Sequence, residues 1–189
     1  MKTITPAIDE LLLLEGTFPY VSGGVSSWVN QIILGFPDIR FGVIFLGSRR
    51  QDYGKMKYVL PDNLVHFEEH YLHDLPENPP IAEHEIAPDV LDTVKSAHQY
   101  FQSDASDASG PDQCQRMLGF MAEGNLPQET FLYSKGAWDH ICEQYRKRST
   151  DPSFVDYFWT IRAMHTPVWL LNDIAANAPE ARIYLGVCL

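Results

Sequence analysis

The residues best suited to chemistry lie near the start of the chain, between an apolar run and an amphipathic segment. Leu11–Leu14 is an unbroken apolar run, and the pair Gly23-Gly24 follows it after a short loop. Apolar side chains then recur with helical spacing over residues 25–33. The order is strand, glycine loop and helix, which α/β proteins use to hold phosphate. The helix N-terminus offers unpaired N–H groups, and glycine lets an anion approach the backbone.

This glycine turn has two interpretations. It matches neither G-x-G-x-x-G nor G-x-x-x-x-G-K-[ST], so the motif supports neither a dinucleotide site nor a P-loop. The other interpretation is a tight strand-to-helix turn that needs glycine and binds nothing. Ser26 and Ser27 fit either one, as helix caps or as extra donors in the first turn.

A second candidate is the histidine-rich segment over residues 66–74. His66, Glu69 and His70 match H-x-x-E-H, the inverted zinc-protease pattern. That chemistry needs a helix, so that both histidines share a face, whereas residues 64–68 predict a strand. We therefore expect no zinc protease; a looser metal site is the less favoured alternative to a polar strand end and loop.

Three single residues complete the candidates. Glu15 ends the first apolar run and is expected either to bond loop N–H groups or to hold an acceptor hydroxyl. Tyr20 lies in the glycine loop, where an aromatic ring stacks on a sugar or base or packs the loop onto the sheet. His165 shares a helix face with Arg162 and is expected either to reach a cleft or to bond backbone. The structural alternative is favoured in each case.

Composition narrows the class of protein. The chain has 189 residues, 45% hydrophobic and 21% charged, which suits one globular domain. The formal net charge of −11 argues against a nucleic-acid binder. We expect no membrane span and no secretion signal, because the longest apolar runs are short. Three cysteines without C-x-x-C spacing indicate a reducing compartment, so the expected location is cytoplasmic.

Hydrophobic periodicity predicts an α/β protein with a parallel sheet. The predicted strands are residues 11–14, 40–46, 64–68 and 182–187, with a further short strand at 57–60. A helix-rich insertion is expected at about 89–150.

Within the helical part, three features are specific enough to test. One helix is predicted over 128–147. Asp151 is the expected N-cap of the next helix, with Pro152 at its first position. That helix should break near Thr166, because Pro167 follows. An extended connection is expected at 75–88 and a mobile loop at 103–112.

Four stretches carry a family resemblance. They are EGTFPYVSGGVSSWVNQII (15–33), FGVIFLGSRRQDYG (41–54), YVLPDNLVHFEEHYLHD (58–74) and FWTIRAMHTPVWLL (158–171). In this order they resemble the PelF-type glycosyltransferases of glycosyltransferase family 4, bacterial enzymes of exopolysaccharide synthesis. The resemblance spans most of the chain and weakens after Ala181, where Arg182–Leu189 lacks an expected histidine.

The resemblance implies a domain organisation and an activity. Residues 1–189 are expected to form a single Rossmann-like domain, with helices on both faces, like the N-terminal half of a two-domain GT-B enzyme. The second, nucleotide-sugar-binding half of such an enzyme is expected to be absent from these residues. The implied function is the acceptor-side half of a retaining nucleotide-sugar-dependent hexosyltransferase in Pel-like exopolysaccharide synthesis, inactive alone.

The resemblance also implies site residues and partners. Gly23, Gly24 and Ser26 are expected to approach the donor diphosphate. The residues expected in the cleft are Glu15, Tyr20, His70 and His165. No metal or cofactor is expected beyond a UDP-linked sugar donor, and no catalytic residue is assigned. Expected partners are the missing half, the growing polysaccharide and membrane-bound synthase subunits, but no nucleic acid.

The alternative hypothesis is a domain without catalytic activity. A truncated binding or scaffold domain would dock on a polysaccharide synthase complex. It predicts a small, polar cleft face, whereas the transferase half predicts an exposed apolar face where its second half docks.

Overall fold

The computed structural model describes residues 8–74, 84–102 and 109–187. The chain forms two compact units. The sheet unit comprises Met1–Asp74 with Ala178–Leu189, and the helical unit comprises Leu75–Asn177. The helical unit is wider than the predicted insertion at about 89–150, and a single domain over 1–189 stays a prediction.

The sheet unit confirms the predicted α/β fold. Its strands are β1 (Ile8–Glu15), β2 (Phe41–Gly47), β3 (Leu64–Tyr71) and β4 (Ala181–Val187). They form one parallel sheet in the order β3-β2-β1-β4, and helix α1 (Gly24–Gly35) connects β1 to β2. A short 3-10 helix, Arg50–Asp52, follows β2. Parallel strands joined by a crossover helix make this unit Rossmann-like.

The core of the sheet unit explains the apolar run Leu11–Leu14 within β1. Leu12 and Leu14 pack with Val29 and Ile33 of α1 in one buried cluster. Leu11 points to the opposite face, because side chains alternate along a strand, and it is also fully buried. An inner parallel strand carries apolar side chains on both faces, which explains why Leu11–Leu14 is an unbroken apolar run.

The predicted short strand at 57–60 is wrong. Those residues are not in a strand; Tyr58 and Leu60 pack against the core of the sheet unit, whereas Val59 between them is exposed. Tyr58 packs its ring 5.4 Å from that of Phe18, and its hydroxyl lies 3.1 Å from Ser27 Oγ. β3 also runs to Tyr71, three residues beyond its predicted end at Glu68.

The helical unit holds six helices within the described ranges. They are α2 (Pro88–Gln102), α3 (Gly110–Ala122), α4 (Gln128–Tyr133), α5 (Lys135–Arg148), α6 (Phe154–His165) and α7 (Pro167–Asn177). Their core centres on Ile86, Val90, Val94 and Leu126. None of the helices in the part of the chain described is long and apolar enough to cross a membrane.

The predicted single helix over 128–147 is wrong, because Ser134 divides it. Ser134 has extended backbone angles, and its Oγ accepts a hydrogen bond from Ala137 N at 3.2 Å. A serine that caps a new helix satisfies an N–H group that has no carbonyl partner, so the chain restarts there.

Asp151 as the N-cap is also wrong. Ser153 is the cap of α6, and its Oγ accepts from Asp156 N at 3.2 Å. Asp151 lies outside the helix, where its Oδ1 accepts from Ser153 N at 2.8 Å.

The break near Thr166 is confirmed. α6 ends at His165 and α7 begins at Pro167, whose missing N–H interrupts the ladder of helix bonds. The expected connection at 75–88 and loop at 103–112 lie largely outside the described residues, which omit 75–83 and 103–108. The last residues of both segments begin helices, α2 at Pro88 and α3 at Gly110.

Asn63 joins the end of α1 to the start of β3. Its Nδ2 donates to the carbonyl oxygens of Ile33, Phe36 and Ile39 at 2.8, 3.1 and 3.2 Å. We expect Asn63→Ala to lower the free energy of unfolding by about 1–3 kcal/mol, because carbonyls at a helix end lose their donor. Urea denaturation measures it, with Asp62→Ala in the same turn as the control. Equal stability of the two variants would contradict this role.

Candidate functional site

The glycine turn lies at the carboxyl edge of the sheet. β1 ends at the exposed Glu15, and α1 starts at Gly24. Gly23 and Gly24 are both exposed, and a Cβ atom built on either meets nothing within 4 Å. The Gly23 backbone is extended, with φ 170° and ψ −178°, which any residue adopts. The fold therefore has no steric need for glycine at either position, unlike a tight turn that requires it.

The start of α1 is free of side-chain caps. The N-cap residue is Gly23, no side chain bonds the cap, and the first turn has no acidic residue. The first helical bond runs from Ser27 N to Gly23 O at 2.9 Å, so the N–H groups before it have no carbonyl within the helix. These groups and the positive end of the helix dipole face an open surface, which suits an anion.

The two serines of this turn take different roles from those expected. Neither caps the helix, because Gly23 holds that position. The Ser26 side chain is only 1% exposed, so its hydroxyl lies in the interior and only its backbone N–H is at the helix start. Ser27 is held by the Tyr58 hydroxyl.

Tyr20 belongs to an aromatic cluster at the same edge of the sheet. Its ring centroid lies 5.0 Å from that of Phe45 and 5.7 Å from that of Tyr53. Tyr53 in turn lies 5.9 Å from Tyr71, at the end of β3. Tyr20 thus packs the loop onto the sheet, as the favoured interpretation predicted, and the cluster fixes the loop beside Gly23.

The histidines of β3 confirm a strand and not a helix. His66, Glu68 and His70 lie on one face of the strand, because every second side chain points the same way. The Nε2 atoms of His66 and His70 lie 2.7 and 3.1 Å from the Glu68 carboxylate. Glu69 points the other way, 3.7 Å from Arg50. Burial raises the pKa of Glu68, but the hydrogen bonds from His70 and His66 outweigh it and leave that pKa below its usual value.

The H-x-x-E-H pattern therefore forms no chelate. Its two histidines bond Glu68, which occupies a variable position of the pattern. The glutamate that the pattern specifies, Glu69, lies on the other face. Among the residues that the structure describes, no group of three or more histidine, cysteine or acidic side chains is arranged to hold a metal ion. Cys114 and Cys142 are free thiols.

His165 lies in the helical unit and is described with it. Its Nδ1 lies 2.7 Å from Ile161 O, as the backbone-bonded interpretation expected. Its Nε2 lies 3.0 Å from His98 Nε2, and His98 Nδ1 lies 3.2 Å from His140 Nε2. Three histidines from α2, α5 and α6 thus form one hydrogen-bonded chain, which we call the histidine chain.

Burial disfavours the charged forms of His98 and His140. Burial, together with the neighbouring His165 and His140, lowers the pKa of His98 to about 3. Burial also lowers the pKa of His140. Sequence reasoning missed both residues as members of a site; the one signal was the position of His98 on the apolar face of α2.

Comparison with known proteins gives a family without an assigned activity. A family model described as a domain of unknown function, DUF3492, matches residues 8–187. No curated protein and no solved structure matches the chain. The family match spans the described parts of both units.

The low pKa of His98 makes stability depend on pH. Between about pH 6.5 and 3 the unfolded chain protonates His98 while the folded chain does not, so stability falls as the pH falls through this window. From pH 7.5 to 4.5 we expect His98→Gln to lose about 2–3 kcal/mol less of its free energy of unfolding than the native chain does. Urea denaturation at both pH values measures the difference.

The matched control is His84→Gln, which removes an exposed histidine from the same unit. It should lose as much stability as the native chain between the two pH values. An equal loss in His98→Gln would contradict a neutral, buried His98.

Proposed function

Since the chain belongs to the DUF3492 family of domains of unknown function, we propose its function from its residues. It is the acceptor-side half of a retaining nucleotide-sugar-dependent glycosyltransferase of the PelF type. It acts in the cytoplasm in bacterial exopolysaccharide synthesis, with a UDP-linked sugar as donor and a growing polysaccharide as acceptor. The proposal begins from the sequence resemblance and is supported by three features of the sheet unit.

The glycine turn carries the proposal. Gly23 and Gly24 are exposed at a helix start, and neither backbone angles nor neighbouring atoms require glycine there. A ligand that approaches the backbone closely supplies the missing reason, because a side chain would occupy the space of the ligand. The uncapped helix start selects an anion, and a diphosphate is the anion that a sugar-nucleotide donor presents.

The position of the turn adds support. The sheet order β3-β2-β1-β4 matches the first four positions of the doubly wound order 3-2-1-4-5-6, and such folds bind ligands outside the carboxyl ends of their strands. Glu15, at the end of β1, is exposed and free of the core, so a sugar hydroxyl can reach it. At this edge of the sheet, Tyr20 packs against Phe45, and His70 bonds Glu68.

The exposed edge of the sheet favours a transferase half over a scaffold. β4 is an edge strand, and Ile183, Tyr184 and Leu185 are 53%, 55% and 41% exposed. A polar cleft face, which the scaffold alternative predicts, would not expose three consecutive apolar side chains. Such an edge needs covering protein, as a second Rossmann-like half would provide.

The proposed chemistry needs no metal from these residues. Departure of the diphosphate develops negative charge, which the N–H groups at residues 24–26 and the α1 dipole stabilise. The residues that contact the base and activate the acceptor belong to the second half in this proposal. The chain alone therefore binds the donor weakly and does not transfer sugar.

Binding of UDP-glucose tests the proposal. We expect weak binding by the isolated chain, seen as NMR shift changes centred on residues 23–27. Gly24→Trp should weaken it at least about tenfold, since the indole fills the space of the diphosphate while the fold is retained. Inorganic pyrophosphate should compete.

The matched control is Gly35→Trp at the other end of α1. Gly35 is also exposed, and a Cβ there also meets nothing within 4 Å. This variant should bind as the native chain does. Equal losses in both variants, or no response at residues 23–27, would count against the proposal and favour the scaffold alternative, and sugar transfer by the isolated chain would refute its dependence on a second half.

A further inference from the structure

The helical unit contains a cavity that the proposed function does not use. Its volume is about 570 Å³, within the range typical of small-molecule sites. Most of its lining is apolar and includes six aromatic side chains: Phe101, Phe131, Tyr133, Trp138, Tyr157 and Phe158. All three members of the histidine chain also line it.

Two buried polar atoms in this lining have no hydrogen-bond partner. They are His140 Nδ1 and Gln144 Oε1, one helical turn apart on α5. The His140 side chain belongs to a residue only 8% exposed, so bulk water does not satisfy it. A buried polar atom without a partner lowers the stability of the fold, which makes these atoms candidates for ligand contact.

The histidine chain decides what His140 Nδ1 can bond. Ile161 O only accepts, so His165 donates from Nδ1, and an imidazole whose single proton lies on Nδ1 accepts at Nε2. His98 must then donate from Nε2 and accept at Nδ1. His140 donates from Nε2 to that Nδ1, which leaves its own Nδ1 as a bare acceptor.

The ligand must therefore supply a donor. Arg162 also lines the cavity, stacked 4.0 Å over the Tyr133 ring, with its Nη1 donating to Leu132 O at 2.7 Å. This fixed positive charge disfavours an ammonium group as the donor. A sugar is disfavoured too, because the aromatic lining would leave most of its hydroxyl groups unpaired.

We propose that this cavity binds a small, neutral, largely apolar molecule whose hydroxyl group donates to His140 Nδ1. The aromatic walls contact its apolar surface, and Gln144 Oε1 accepts from a second hydroxyl where one is present. The site lies within the helical unit and is independent of the glycine turn.

A matched pair of probes tests the proposal on the full chain. 2-Naphthol carries the donor, and 2-methoxynaphthalene has the same ring system without it. We expect the native chain to bind 2-naphthol about tenfold more tightly, by ligand-detected NMR titration. In His140→Phe, which removes the acceptor, the two affinities should agree within about threefold.

Two further variants separate the site from the fold. Cys142→Ser alters the same helix outside this cavity's lining and should keep the native preference. Ala137→Phe fills the cavity from its wall and should abolish binding of both probes, even if His140→Phe fails to fold. Equal affinity of the native chain for both probes, binding that survives Ala137→Phe, or displacement of 2-naphthol by glucose would each overturn the proposal.

Discussion

The parallel pairing of β1 with strands on both sides is the constraint on which the sheet unit depends. β1 pairs with β2 from Glu10 to Glu15 and with β4 from Ile8 to Leu14. An inner strand pairs its backbone on both edges. Inner strands of parallel sheets are also buried on both faces by apolar contacts. Helix α1 covers one face through Val29 and Ile33. The start of α1 is thereby placed beside the end of β1, where parallel sheets bind ligands.

Glycines in this unit serve two different physical purposes. Gly16 has φ +65°, a left-handed conformation that other residues rarely adopt, and a Cβ at Gly42 would lie 2.7 Å from a Leu11 methyl. The fold therefore constrains both positions, Gly16 through its backbone and Gly42 through the buried side chains beside it. Gly23 and Gly24 have neither constraint, so their presence needs a reason outside the folded chain itself. This contrast gives the glycine turn its weight as a ligand site.

The helical unit differs from the sheet unit because it buries a hydrogen-bonded group of polar side chains. His165 and His98 satisfy one ring nitrogen of each other through a hydrogen bond between their Nε2 atoms. The chain has two ends, and only one of them reaches a backbone carbonyl, that of Ile161. The other end, at His140, leaves an acceptor beside aromatic walls. We therefore propose chemically different ligands for the two units, an anion at the glycine turn and an apolar hydroxyl donor in the cavity.

The sequence by itself determined the features that depend on neighbouring residues. Apolar runs identified β1, β2 and β4, the 3.6-residue period identified α1, and Pro167 located the break at Thr166, because each signal is local. Local signals were insufficient at 128–147, where the helical pattern continues through Ser134 and only the cap contacts show the break. Local signals did not predict the histidine chain, because His98 is 42 residues from His140 and 67 residues from His165 in the sequence. Only the packing of three helices decides which nitrogen meets which partner, because burial and hydrogen-bond direction are properties of the assembled fold.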